Sequence, residues 1–238
     1  MDMKDLFFLI KRKVRHRLPD SAFKSNRWRR RIIKQYLDSH EVAKLQIGCG
    51  RNMIPGWLNT DTSIYICKNG AMYLDAGEPF PLPDNSFDYV FSEHLFEHLD
   101  HYQAVNMLKE CRRVLKPSGV LRIATPDFLF LTDLYLHPDK PANKSYITWS
   151  AQGGGNCKPV PENPLNIINK FHTEWGHKII YDRQTLTDLL KDNGYKDIRF
   201  CSIGNSSHDE LKNIEGHFKL MPYEHYQLET MILEAVPE

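Results

Sequence analysis

Short apolar runs separated by polar turns divide most of the chain. Leu45 and Ile47 mark a strand that runs into Gly48-Cys49-Gly50, and a second apolar pair, Trp57-Leu58, leads to Asp61. A third run ends Met72-Tyr73-Leu74-Asp75-Ala76. Phe87 to Ser92 is almost continuously apolar, as expected of a central parallel strand covered on both faces. Further strand patterns occupy 120–125, 196–201 and 227–236. Helical spacing lies between them. Ala104, Leu108, Cys111 and Leu115 share one face of a helix over 101–115, stopped by Pro117 and Gly119. A second amphipathic helix over 183–193 starts at an N-cap, Asp182, and ends at Gly194. Strands alternating with helices predict an α/β fold with a mostly parallel sheet.

Two intervals are unusual. Only six residues separate Gly50 from Trp57, too few for a crossover helix of ~10 residues. One helical turn or an ordered loop is expected there. Residues 128–170 are less regular, with one short helix from Phe128 and a Gly153-Gly154-Gly155 run. A long irregular segment in a compact domain reads as a functional insertion, here about 128–182 on the acceptor side. No Lys-Ser/Thr follows the glycines, which excludes a P-loop.

Strand, glycine turn, strand, acid is an arrangement that holds a nucleotide-like cofactor. The glycines permit left-handed backbone and close approach of a ligand. The acid ending the second strand accepts hydrogen bonds from ribose hydroxyls. On this logic Gly48, Cys49 and Gly50 cradle the cofactor and Asp61 meets its ribose. The turn lacks a third glycine, since Asn52 stands there, and Gln46 stands where an acid is common.

The ordered set of these segments, with Leu82-Pro83-Asp84-Asn85-Ser86-Phe87-Asp88, Glu93-His94-Leu95-Phe96-Glu97-His98 and Leu115-Lys116-Pro117-Ser118-Gly119, resembles the class I S-adenosylmethionine-dependent methyltransferases. The resemblance runs over about 44–200 and is nearest to the type-11-like group. It implies a doubly wound, Rossmann-like fold: a sheet of about seven mostly parallel strands, the last antiparallel, with helices on both faces. It implies S-adenosyl-L-methionine as cofactor, with Asp75 and Ala76 beside the adenine. It also implies methyl transfer to an acceptor, for which glycan or polysaccharide synthesis suggests a sugar hydroxyl.

In open α/β sheets ligands bind outside the carboxyl ends of the strands. Ser92, Glu93 and His94 lie at that end of the fourth strand and are expected to face cofactor and acceptor. His94 is one candidate base. His177 is the other, in a Gly176-His177-Lys178…Tyr181-Asp182 segment that the resembled group shares. Asp127, at the end of the fifth strand, either orients an acceptor or caps the next turn. His94, Glu97 and His98 also spell H-x-x-E-H, a zinc-hydrolase pattern when it lies on a helix. The resembled group carries a similar segment without metal, so no metal ligand is assigned.

Charge adds one asymmetry. Residues 1–36 hold twelve lysines and arginines against three aspartates, a net +9 in a chain of 238 residues whose total is +1. Apolar stripes (Leu6, Leu9, Ile10, Val14, then Trp28, Ile32, Ile33, Tyr36) run among these charges. Residues 1–40 therefore read as a basic helical extension of a domain over 41–238. It either packs on the domain or meets an anionic membrane surface; no nucleic-acid-binding motif is present. The five apolar residues 6–10 are too few for a signal peptide or a membrane span. Five irregularly spaced cysteines without C-x-x-C fit reduced thiols and a cytoplasmic location, peripheral to a membrane at most. Two other functions fit parts of the pattern: a non-catalytic cofactor- or partner-binding subunit, and, against the short Gly50–Asp61 interval, a nicotinamide-dependent oxidoreductase.

Overall fold

The computed structural model describes residues 15–238. The apolar stripe expected at Leu6–Val14 lies outside them. Seven strands form one sheet: β1 (Lys44–Ile47), β2 (Leu58–Asp61), β3 (Met72–Tyr73), β4 (Phe87–Glu93), β5 (Leu115–Pro126), β6 (Tyr195–Cys201) and β7 (Thr230–Pro237). Their order is β3-β2-β1-β4-β5-β7-β6. β7 runs antiparallel to both neighbours, and every other pairing is parallel. The strand order reverses between β1 and β4, so the crevice at their carboxyl ends is the natural ligand site.

The helices are α1 (Asp20–Lys24), α2 (Asn26–Ser39), α3 (Ile64–Lys68), α4 (His101–Val114), α5 (Phe128–Leu136), α6 (Pro141–Ala151), α7 (Pro164–Thr173), α8 (Arg183–Asp192) and α9 (Tyr223–Glu229). α4 forms where the 3.6-residue spacing placed a helix. It starts with a capping box in which Asp100 and Gln103 satisfy each other's backbone N–H groups. α8 begins at Asp182, whose carboxylate accepts from Thr185 N at 2.7 Å.

No helix joins β1 to β2. Residues 51–57 form an ordered loop pinned by the side-chain amides of the buried Gln46 and the half-buried Asn59. The Gln46 amide donates to Asn52 O at 3.0 Å, and Asn59 Oδ1 accepts from Ile54 N at 2.8 Å. The amide at position 46 thus does locally what a crossover helix does elsewhere: it satisfies the backbone of the connection.

The segment 128–170 is more regular than its sequence pattern suggests. α5, α6 and α7 bury Phe130, Leu131, Leu134, Tyr146, Ile147, Ile167 and Phe171 in a core of their own. Apolar residues surround α5 instead of lying along one stripe, which hides its helical period. The extension at the N-terminus is partly structural. α2 sends Ile33 and Tyr36 into the main core, and Tyr36 Oη donates to Lys44 O at 2.9 Å. Among the described residues no helix is long and apolar enough to cross a membrane.

Candidate active site

The glycine turn follows β1 with left-handed backbone at Gly48 (φ +69°) and Gly50 (φ +50°). A Cβ on Gly48 would press on Leu95 at 2.9 Å, whereas nothing lies within 4 Å of one on Gly50. The turn is therefore tight on one side and open on the other. Asp61 braces it: its carboxylate accepts from Gly50 N at 2.8 Å and from Ser63 N at 2.7 Å.

Two adjoining cavities of about 230 Å³ each meet at this turn. One is lined by Ile47, Gly50, Asp61, Leu74, Ala76 and Leu95. Apolar walls with one carboxylate at the rim suit a flat heterocycle and a ribose. The other is lined by Arg51, Asn52, Glu93, His217 and Lys219. Gly48, Gly50 and His94 belong to both. Together the two fall within the ~300–1,000 Å³ usual for small-molecule sites.

The expected site residues do not all arrive there. Gly48, Cys49, Gly50, Asp61, Ala76 and His94 line the cleft. Asp75 does not; its carboxylate turns back to accept from Gly77 N at 2.9 Å, so it serves as a turn-former. Ser92 does not either. It is fully buried and its hydroxyl has no partner. Side chains alternate across a strand, so with Glu93 on the cleft side Ser92 points to the other face. Asp127 caps α5 by accepting from Leu129 N at 3.0 Å.

His94 and His177, 83 positions apart, converge on one carboxylate. Glu97 is wholly buried; its Oε1 lies 3.2 Å from His94 Nδ1 and 4.0 Å from His177 Nε2, and its Oε2 accepts from Thr125 Oγ1 at 3.0 Å. His94 holds a left-handed backbone, φ +46°, uncommon for a residue with a Cβ. Its Nε2 is 3.0 Å from Thr230 Oγ1, and its ring stacks on His217 at 3.9 Å.

The charges sort themselves by neighbour. Burial lowers His94, but the hydrogen bond and charge of Glu97 outweigh it and raise its pKa above the ordinary value. Burial would raise Glu97, yet His94 holds it down to about 2. Burial pushes His177 to about 4 and His217 to about 3, with the charge of His94 adding to both shifts. Burial lifts Glu229, which accepts from Tyr146 Oη at 2.6 Å, to about 7.

Glu93 is the pin of the cleft's far wall. Its carboxylate accepts from Gly216 N and His217 N, each at 3.0 Å, and from Tyr226 Oη at 2.8 Å. Next to it Arg122, fully buried on β5, pairs with Glu215 and Glu234, each at 2.5 Å. These two carboxylate anchors fix the segment that carries His217 and Lys219. Glu97 stands in the legible H-x-x-E-H stretch and pairs with His94 three residues away, whereas the stacking of His217 on His94 and the Tyr146 bond of Glu229 join distant elements and leave no mark in sequence spacing.

Residues 45–123 match the family model described as a methyltransferase domain. A probable S-adenosylmethionine-dependent methyltransferase of Mycobacterium tuberculosis is 31% identical over 123 residues, covering 52% of this chain and 32% of that protein. The chain thus spans about a third of the length of this relative. Malonyl-[acyl-carrier protein] O-methyltransferase 1 of Coxiella burnetii is 27% identical over 194 residues, covering 75% of this chain and 61% of that one. Among solved structures, a putative methyltransferase in complex with the Trm112 methyltransferase activator of Haloferax volcanii superposes with a TM-score of 0.50 at 14% identity, covering 92% of each chain. That likeness concerns the fold.

Proposed function

We propose, from the methyltransferase-domain match over residues 45–123 and the S-adenosylmethionine-dependent relatives, that the chain is a class I S-adenosylmethionine-dependent methyltransferase that moves a methyl group to a hydroxyl of a small-molecule or glycan acceptor. The observation that carries this is the place of His94: it lines both cavities and is paired to the buried Glu97.

The residues present fit the cofactor. Gly50 leaves an open cradle, and Asp61 stands at the rim of the apolar cavity, as a ribose contact requires. Ala76 and Leu74 supply the apolar walls for the adenine. Arg51 and Lys219 place positive charge on the second cavity, where the methionine carboxylate would lie. This supplies what a third glycine in the turn does not.

The bound sulfonium makes its methyl carbon electrophilic, so the protein's task is mainly alignment. A hydroxyl acceptor must also lose a proton. His94 takes it in the neutral form it holds above its raised pKa, and Glu97 stabilises the imidazolium that forms, as a buried carboxylate does for a catalytic histidine. His177 and His217 stay neutral near pH 7 and add no competing charge. The methyltransferase-domain match sets the nicotinamide reading aside; a binding-only subunit is the remaining alternative.

The test is transfer of labelled methyl to a panel of sugar, carboxylate and amine acceptors. Label is expected on a hydroxyl, with His94→Gln lowering kcat by about 10²–10⁴-fold and leaving S-adenosylhomocysteine affinity within a few-fold. Label confined to amines, or an unchanged kcat in His94→Gln, contradicts the proposal. Tight cofactor binding with no transfer to any acceptor favours the binding-only subunit.

A further inference from the structure

Beside the His94–Glu97 pair lies a group that the proton-transfer account leaves unexplained. Glu97, His98 and His177 each direct one metal-capable atom into a common space, all within 4.8 Å of one another. They come from the turn after β4 and from the segment between α7 and α8. Backbone bonds hold those two stretches together: Lys178 N donates to Glu97 O at 2.8 Å and Ile179 N to the same oxygen at 3.2 Å.

The cluster's own hydrogen bonds do not account for it. The His177 side chain is 6% exposed, its Nδ1 is buried without a partner, and its Nε2 is 4.0 Å from Glu97, too far for a hydrogen bond. A buried imidazole nitrogen without a partner is rare, because buried polar groups normally find one. His98 is arranged the other way. Its Nδ1 lies 3.3 Å from Gly176 O, which leaves Nε2 uncommitted. A carbonyl on one nitrogen and a free second nitrogen is the usual setting of a metal-ligating histidine. His98 is also only half-buried, so the space is not sealed from solvent.

We propose that Glu97, His98 and His177 form a binding site for one divalent first-row ion such as Zn²⁺. Two imidazoles and a carboxylate suit such an ion and leave coordination positions for oxygen ligands. The side chains close in by about an ångström to reach bonding distances near 2.0–2.2 Å. The ion would share the Glu97 carboxylate with His94, and an acceptor oxygen bound to it would lose its proton more easily. That role rests on the methyltransferase reading; the ion site itself does not. The pattern differs from the helical H-x-x-E-H arrangement. His94 pairs with Glu97 and Thr230, Phe96–His98 is a short 3₁₀ turn, and the second imidazole comes from His177.

The test is titration of Zn²⁺ into chelator-stripped, tag-free protein in competition with a chromophoric chelator. Wild type, His98→Ala, His177→Ala and a control at the exposed His172 are compared. One equivalent binding at micromolar or tighter Kd is expected, weakened at least tenfold in His98→Ala and His177→Ala and unchanged in His172→Ala. Equal binding by all four proteins, or no uptake by the wild type, overturns the site. S-adenosylhomocysteine titration of the same samples shows that each variant is folded. It also separates the two readings: cofactor binding without Zn²⁺ uptake sinks only the ion site, and the absence of cofactor binding sinks the methyltransferase proposal.

Discussion

A carboxylate with no exposed surface keeps its charge only when a positive neighbour offsets the lost hydration. For Glu97 that neighbour is His94, at 3.2 Å. The pair has a defined pH window. Glu97 is depressed from 4.5 to about 2, so its contribution to stability is complete above 4.5 and fades as pH falls through 2. His94 is raised above 6.5, so its contribution is complete below 6.5 and fades as pH rises through its folded value. Both act fully between 4.5 and 6.5. Glu97→Gln should therefore lower Tm most in that interval. Its His94 resonance should titrate lower than in the wild type, because burial is then opposed only by the charges of Glu229 and Glu93. An NMR titration in which His94 keeps its wild-type pKa in Glu97→Gln would contradict the pairing. At this scale the sequence was informative about types and silent about partners. Glu93, His94, Glu97 and His98 stand in one legible hexapeptide. Read as a helix, they share faces by i, i+4 spacing; the left-handed His94 makes the stretch a corner instead, and that corner sends His94 and Glu93 to different partners.

Among the elements, the turn after β1 shows what local chemistry can and cannot predict. Its glycines imply left-handed backbone, and both are left-handed. The substitution Gly48→Ala should cost about 1–3 kcal/mol from backbone strain alone, and more from the Cβ driven against Leu95. Chemical denaturation measures this; a variant as stable as the wild type would show that the turn relaxes freely. The absence of a crossover helix was legible from residue count. The replacement for it, a loop tied by Gln46 and Asn59, was not, because an amide's partners depend on the fold. The regularity of 128–170 is hidden in the sequence for a physical reason. α5 to α7 bury apolar residues against one another as well as against the domain, so no single amphipathic stripe marks them. Asp75, expected beside the adenine, and Asp127, open between acceptor and cap, both bind backbone N–H groups of the adjoining turn.

Over the whole molecule, the strand order, the antiparallel β7 and the cleft at the carboxyl ends agree with what ordered apolar runs and the family resemblance imply. The basic N-terminal region packs on the domain through one face of α2 and leaves that helix's charges outward. Ile33 and Tyr36 of α2 belong to the core, while Arg27, Arg30, Arg31 and Lys34 are exposed. Deleting residues 1–40 would therefore strip core contacts, and charge reversal is the cleaner probe of the membrane contact that the basic sequence allows. Changing Arg27, Arg30 and Arg31 to Glu should reduce sedimentation with phosphatidylserine vesicles and leave Tm within a few degrees. Equal sedimentation would remove that face from any membrane role.

The central claim is that the Gly48–Gly50 turn and Asp61 hold a nucleoside cofactor. Calorimetric titration of S-adenosylhomocysteine into the wild type and Asp61→Ala tests it most directly. Micromolar binding that weakens at least tenfold in the variant, a loss of about 1.4 kcal/mol, is the predicted result. No binding by the wild type, or equal affinity in the two proteins, would contradict it.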